Sequence, residues 1–213
     1  MDRAQILGLF DSDPASDPLA ISIGCDPGCE LTWFEELAFH IADYPDGTDL
    51  LFHTIGTVDE VRLTAAISAL SSSSANSERL RPIVERLLSD PRPMVLAQAV
   101  SGARHLQYAD LYTVIRPLVG HPDRYVVGAA LSYMAALFPD EAKPLLIEAL
   151  SSQDSILIQY GIDELGDAQA TDAIPLIRKL LDHPEEYVRQ AAETAVRDLE
   201  YLLESEDDDD ATE

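Results

Sequence analysis

From residue 80 onward, apolar residues recur in pairs at a fixed interval. Ile83-Val84, Val114-Ile115, Leu145-Leu146 and Leu176-Ile177 follow one another at a constant step of 31, and so do Leu87-Leu88, Leu118-Val119, Ala149-Leu150 and Leu180-Leu181. The two sets lie four positions apart, so together they mark one apolar helix face. A second face follows in each unit. Val95, Val126, Leu157 and Val188 keep the same step, and the small residues Ala99, Ala130, Gly161 and Ala192 repeat one turn later. Between the faces stand breakers: Ser89-Asp90-Pro91, Gly120-His121-Pro122, Ser152-Gln153-Asp154 and Asp182-His183-Pro184. Proline has no amide hydrogen and disfavours helix in the residue before it, so these triplets separate two helices.

Each unit is therefore a helix pair that cannot bury both apolar faces alone, whereas stacked pairs share a continuous core. The expected fold is all-α, a right-handed α-solenoid of four to five helix pairs. Four pairs fill 80–203 without insertion. A degenerate pair is expected over 48–79. There the interval from Val61 to Val95 is longer than the regular step, and the Ser71-Ser72-Ser73-Ser74 loop takes up the three extra positions. Residues 1–47 do not repeat. Asp2 to Phe10 reads as a short helix, Asp11 to Pro27 as a loop, and Glu30 to Tyr44 as a helix too apolar all round to stand exposed. That last helix is expected to cap the open first end of the array, although a docking site for another protein would read the same way.

The string Asp182-His183-Pro184-Glu185-Glu186-Tyr187-Val188-Arg189-Gln190-Ala191-Ala192 resembles the HEAT-repeat motif, in the short-period variety found in phycobilisome-lyase-like proteins. The resemblance implies that the second helix of each pair lines a concave binding surface. Counting Val95, Val126, Leu157 and Val188 as position zero, positions +4, +8 and +11 face the first helix. Positions +1 and +5 are apolar in three units and become Arg189 and Glu193 in the fourth, as expected if that side meets a following repeat which the last unit lacks. The stripe at +2, +6 and +9 remains for a partner: Ser101 and Arg104, Ser132, Gln159 and Asp163, then Gln190, Thr194 and Arg197, with small residues between them. An ordinary solvated face would carry the same residues. At position −1, Met94, Tyr125, Ile156 and Tyr187 form a column that is either an exposed ridge for a partner or packing against the preceding repeat. Packing is the preferred reading, because apolar columns at helical spacing are usually core.

Charge narrows the partner. The 213 residues hold 39 acids against 14 Lys and Arg, a net charge of −25. A body this acidic is repelled by DNA, RNA and anionic lipid, which excludes nucleic-acid and membrane-surface binding and points to basic surfaces. Seven acids lie within 204–213, a block expected to be a disordered tail that either aids solubility or captures a basic partner. The absence of a long apolar run and of a secretory pattern at the start leads to an expectation of cytoplasmic location.

Chemistry is scarce. Cys25-Asp26-Pro27-Gly28-Cys29 places two thiols at a spacing longer than the usual redox pair, without two further ligands for zinc, so a reduced structural pair is expected. No phosphate-cradling loop, nucleophile elbow or His-Glu-x-x-His is present. The His-Glu dipeptides of a HEAT-like di-iron hydroxylase are missing too, since Ile41, Thr54, Leu106, Pro122 and Pro184 follow the histidines. His121 and His183 read as turn residues. The expectation is a non-enzymatic, monomeric protein-binding solenoid with no catalytic residue, metal or cofactor. It would engage a basic protein, such as a bacterial toxin acting on nucleic acid that it neutralises as an immunity partner. A general adaptor or assembly chaperone is the alternative, and a bilin-lyase-like chromophore-handling subunit is the enzyme-class alternative.

Overall fold

The computed structural model describes Gly8, Phe10 and residues 30–210. The expected helix over Asp2 to Phe10 apart from those two residues, the Asp11 to Pro27 loop, the Cys25–Cys29 turn and the last three residues lie outside the described residues. Among the described residues there are eleven α-helices and no strand. They divide into two compact units, 1–108 and 109–213.

The first unit contains α1 (Glu30–Ala42), α2 (Gly47–Thr54), α3 (Glu60–Ser71), α4 (Ser77–Leu87) and α5 (Pro93–His105). α1, α3 and α5 lie side by side, with α2 and α4 on the other layer. α3 begins at Asp59, whose carboxylate accepts from the Arg62 amide at 3.0 Å, satisfying one of the amides that a helix start leaves open. α1 lies against α3, and its all-round apolarity is used. Trp33 and Phe34 are fully buried, and Phe10 meets the Phe34 ring edge-on at 5.8 Å. The Arg62 guanidinium lies 4.2 Å from the centre of the same ring and donates from Nε to the Phe10 carbonyl, tying the leading residues to α3.

The second unit contains α6 (Tyr112–Ile115), α7 (Arg124–Leu137), α8 (Pro139–Ala149), α9 (Ser155–Asp167), α10 (Ile174–Ile177) and α11 (Glu186–Asp210). α7, α9 and α11 stack in sequence as one layer, α8 packs on both α7 and α9, and α10 packs on α11. α6 stops at Ile115 and continues as a 3₁₀ turn over Arg116–Gly120, because Pro117 has no amide to donate and its ring crowds the preceding turn. The small column does what its size predicts. Ala130 and Ala192 are wholly buried, and a Cβ at Gly161 would come within 3.0 Å of the Leu146 carbonyl, so α8 and α9 cross in near backbone contact there.

The breaker triplets share a mechanism. At every junction one side chain accepts the amide two positions ahead: Asp90 from Arg92 at 3.0 Å, His121 Nδ1 from Asp123 at 3.0 Å, Ser152 from Asp154 at 3.0 Å and His183 Nδ1 from Glu185 at 3.2 Å. The four acceptors occupy one repeat position, and the two histidines are turn residues as read. Asp123 and Asp154 then cap α7 and α9. At the far ends of α5 and α9, Gln107 and Gln169 adopt left-handed backbone, with φ of 59° and 53°. In each case the next amide reaches back to a carbonyl five positions earlier, Tyr108 to Ala103 and Ala170 to Leu165, closing a Schellman turn.

α11 continues through Glu204 to Asp210, where the sequence suggests a disordered tail. Extending an existing helix adds a hydrogen bond per residue without a new nucleus, which favours continuation despite the clustered charge.

Candidate functional site

The stripe expected to be free is open at one end of the second unit and closed at the other. In the first unit, Ser101 and Arg104 on α5 are half-buried, and the Ser101 carbonyl accepts a hydrogen bond from His105 Nδ1 at 2.9 Å. On α7 the stripe is shut. Ser132 is only 8% exposed, and the Tyr160 ring of α9 lies across Gly128, where a Cβ would sit 2.2 Å from it. Ser132 is therefore a seam residue between α7 and α9 and not part of an open wall.

The reason lies in helix geometry. Position +2 of α7 looks toward position +3 of α9, as Gly128 and Tyr160 show, so the stripe there is the seam between these two helices. On α11, among the described residues, no helix covers it. Gln190, Thr194 and Arg197 on α11 are all exposed. Gln190 donates to the Glu186 carboxylate at 3.1 Å, and Arg197 pairs with Asp198 at 2.9 Å.

α9 is intermediate. Gln159 is half-buried, and Asp163 is exposed. Partial burial of the Asp163 carboxyl raises its pKa; the Asp167 and Glu164 carboxylates push the same way, while a hydrogen bond from Gln159 opposes them. The last turn of α9 thus gathers three acids and no base, at the end of the helix where the dipole is already negative. Beside it, Gly166, Asp167 and Gln169 of the α9 end and Arg197, Asp198, Tyr201 and Leu202 of α11 enclose an open cleft of about 530 Å³. Tyr201 is 71% exposed at this cleft. Sequence reasoning passed over Tyr201 and Asp167, which lie outside the three columns followed. The signal that marks Asp167 is the run of carboxylates at the end of a helix, against the usual preference for bases there.

The aromatic column also divides. Met94 on α5 and Tyr125 on α7 are exposed, contrary to the packing preferred for the column, and Arg124 sits 5.2 Å from the Tyr125 ring centre. Ile156 and Tyr187 are half-buried as packing requires, with the Tyr187 hydroxyl bonded to Ser155 of the preceding repeat.

Among the described residues no group of three or more His, Cys, Asp or Glu side chains is placed to hold a metal ion, and no helix is long and apolar enough to cross a membrane.

Paired helices with a layer of second helices define a repeat scaffold of the HEAT and armadillo kind. Residues 80–161 match the family model for HEAT repeats. Solved structures agree on the fold. An engineered protein from the Northeast Structural Genomics Consortium superposes with a TM-score of 0.52 at 16% identity, over 94% of this chain and 98% of that one. A designed armadillo repeat protein in complex with the peptide (KR)4 gives 0.51 at 15%, over 93% and 100%. The complex of CpcE and CpcF of phycocyanin lyase from Nostoc sp. PCC7120 gives 0.51 at 16%, over 93% and 83%. No curated protein matches the sequence. Identities this low establish a shared fold, and such a fold is compatible with protein binding.

Proposed function

We propose that the chain is a non-enzymatic binding protein whose acidic second-helix surface grips a basic segment of another protein, as an immunity-type neutraliser grips a cationic toxin. The observation that carries this is the exposed charge around the open part of the stripe: Asp163 lies in it, and Asp167 on α9 and Glu186, Glu193 and Asp198 on α11 lie outside it, all exposed, within a chain of net charge −25. Opposite charge on a partner accelerates encounter and occupies the site that a nucleic acid would otherwise fill. A scaffold of the same fold binding a Lys-Arg peptide is consistent with this chemistry.

The test is association with the product of the adjacent reading frame, followed by stopped flow. The expected result is a basic toxin whose activity this chain blocks, with an on-rate that falls steeply as salt rises and drops on Asp163→Lys or Glu193→Lys. Salt-insensitive association, lost on Tyr125→Ala or Tyr187→Ala, would make the chain an apolar adaptor. The likeness to the phycocyanin lyase complex keeps chromophore handling as the competing reading, which a bilin absorbance shift on mixing would favour.

A further inference from the structure

We infer that the cleft between the end of α9 and α11 is a receptor for an arginine side chain of the basic partner, with Tyr201 as the stacking surface and Asp167 as the principal counter-charge. This rests on the basic-partner reading and adds to it the site and the side chain.

The cleft is an open depression of about 530 Å³, with room for a guanidinium group. Room is left by small residues: a Cβ at Gly166 would meet only the Ala195 side chain, at 3.8 Å. One wall is an aromatic ring 71% exposed to solvent. The surrounding charge is negative beyond what the fold requires. α9 ends in Asp163, Glu164 and Asp167, with the negative pole of its dipole at the same place, and its carbonyls are already engaged by the Schellman turn through Gln169.

Those features select among cations. A guanidinium offers a flat face to the Tyr201 ring and a fork of donors to the Asp167 carboxylate, whereas an ammonium offers only a point charge. Arg197 and Asp198 on the cleft's rim pair with each other at 2.9 Å, so Asp167 is the remaining carboxylate among its lining residues.

The test uses the full chain and fluorescein-labelled octa-arginine and octa-lysine, followed by anisotropy at low and at physiological salt. Octa-arginine is expected to bind more tightly than octa-lysine. Tyr201→Ala should weaken octa-arginine about 5- to 10-fold and remove the preference over lysine, and Asp167→Asn should weaken it about 10-fold. Asp140→Asn, the same loss of charge at an exposed position on α8, should change binding less than about 2-fold. Unchanged far-UV circular dichroism keeps the variants comparable. If both peptides bind but Tyr201→Ala and Asp167→Asn behave like Asp140→Asn, the cleft assignment fails and the basic-partner reading stands. If wild type binds neither peptide at low salt, both fail.

Discussion

α7 and α11 occupy the same place in their repeats, yet one presents a closed surface and the other an open one. Gly128 and Ser132 on α7 are buried beneath α9, while Gln190 and Thr194, their counterparts two repeats on, are exposed. Neither helix differs in its own periodicity. What differs is whether, among the described residues, another second helix lies against it. The stripe is thus closed where the Tyr160 ring fills the seam and open on α11.

Placing a leucine at each of the two positions tests the contrast directly. Gly128→Leu should cost about 2–3 kcal/mol in urea unfolding, because its Cβ alone comes 2.2 Å from the Tyr160 ring, whereas Gln190→Leu should stay within about 0.5 kcal/mol. Equal costs would mean that the two positions share an environment.

The junctions offer a second, smaller contrast. Of the four turn acceptors only Asp90 is a carboxylate, and its hydrogen bonds and ion pair with Arg92 hold its pKa down to about 2. Asp90→Ala should cost about 1 kcal/mol at neutral pH. The folded carboxylate titrates below its unfolded value near 4, so this contribution is complete above about pH 4. The difference between wild type and variant should therefore shrink as pH falls from about 4 toward 2. Ser152→Ala, at the equivalent position, should show no such pH dependence.

Gln107 and Gln169 adopt left-handed backbone where glycine is the usual residue, so Gln169→Gly should raise stability by about 0.5 kcal/mol, measured as an increase in melting temperature. The smallest effect concerns the open wall. Partial burial and two neighbouring carboxylates raise the Asp163 pKa, so the folded state binds a proton more readily than the unfolded chain and stability falls as pH rises through that range. Asp163→Asn should gain a few tenths of a kcal/mol at pH 7 and lose that advantage in acid.

Much of this molecule was legible in advance because periodicity is a local property. Apolar pairs at a constant step define helix faces, prolines at fixed offsets define junctions, and the alanine and glycine column defines where helices cross. The all-round apolar character of Glu30 to Tyr44 marked α1 as a helix that must be covered. The site was legible only in part. Asp163 and Arg197 lie where the stripe is open, but Ser132 does not, and Tyr201 escaped because it falls outside the columns that repeat.

The repeat, its register and its charge are written in the chain alone, since each follows from residue spacing and composition. Which copy of a repeated position meets solvent is settled in three dimensions. Exposure there depends on a neighbour one full repeat away, as when the Tyr160 ring covers Gly128.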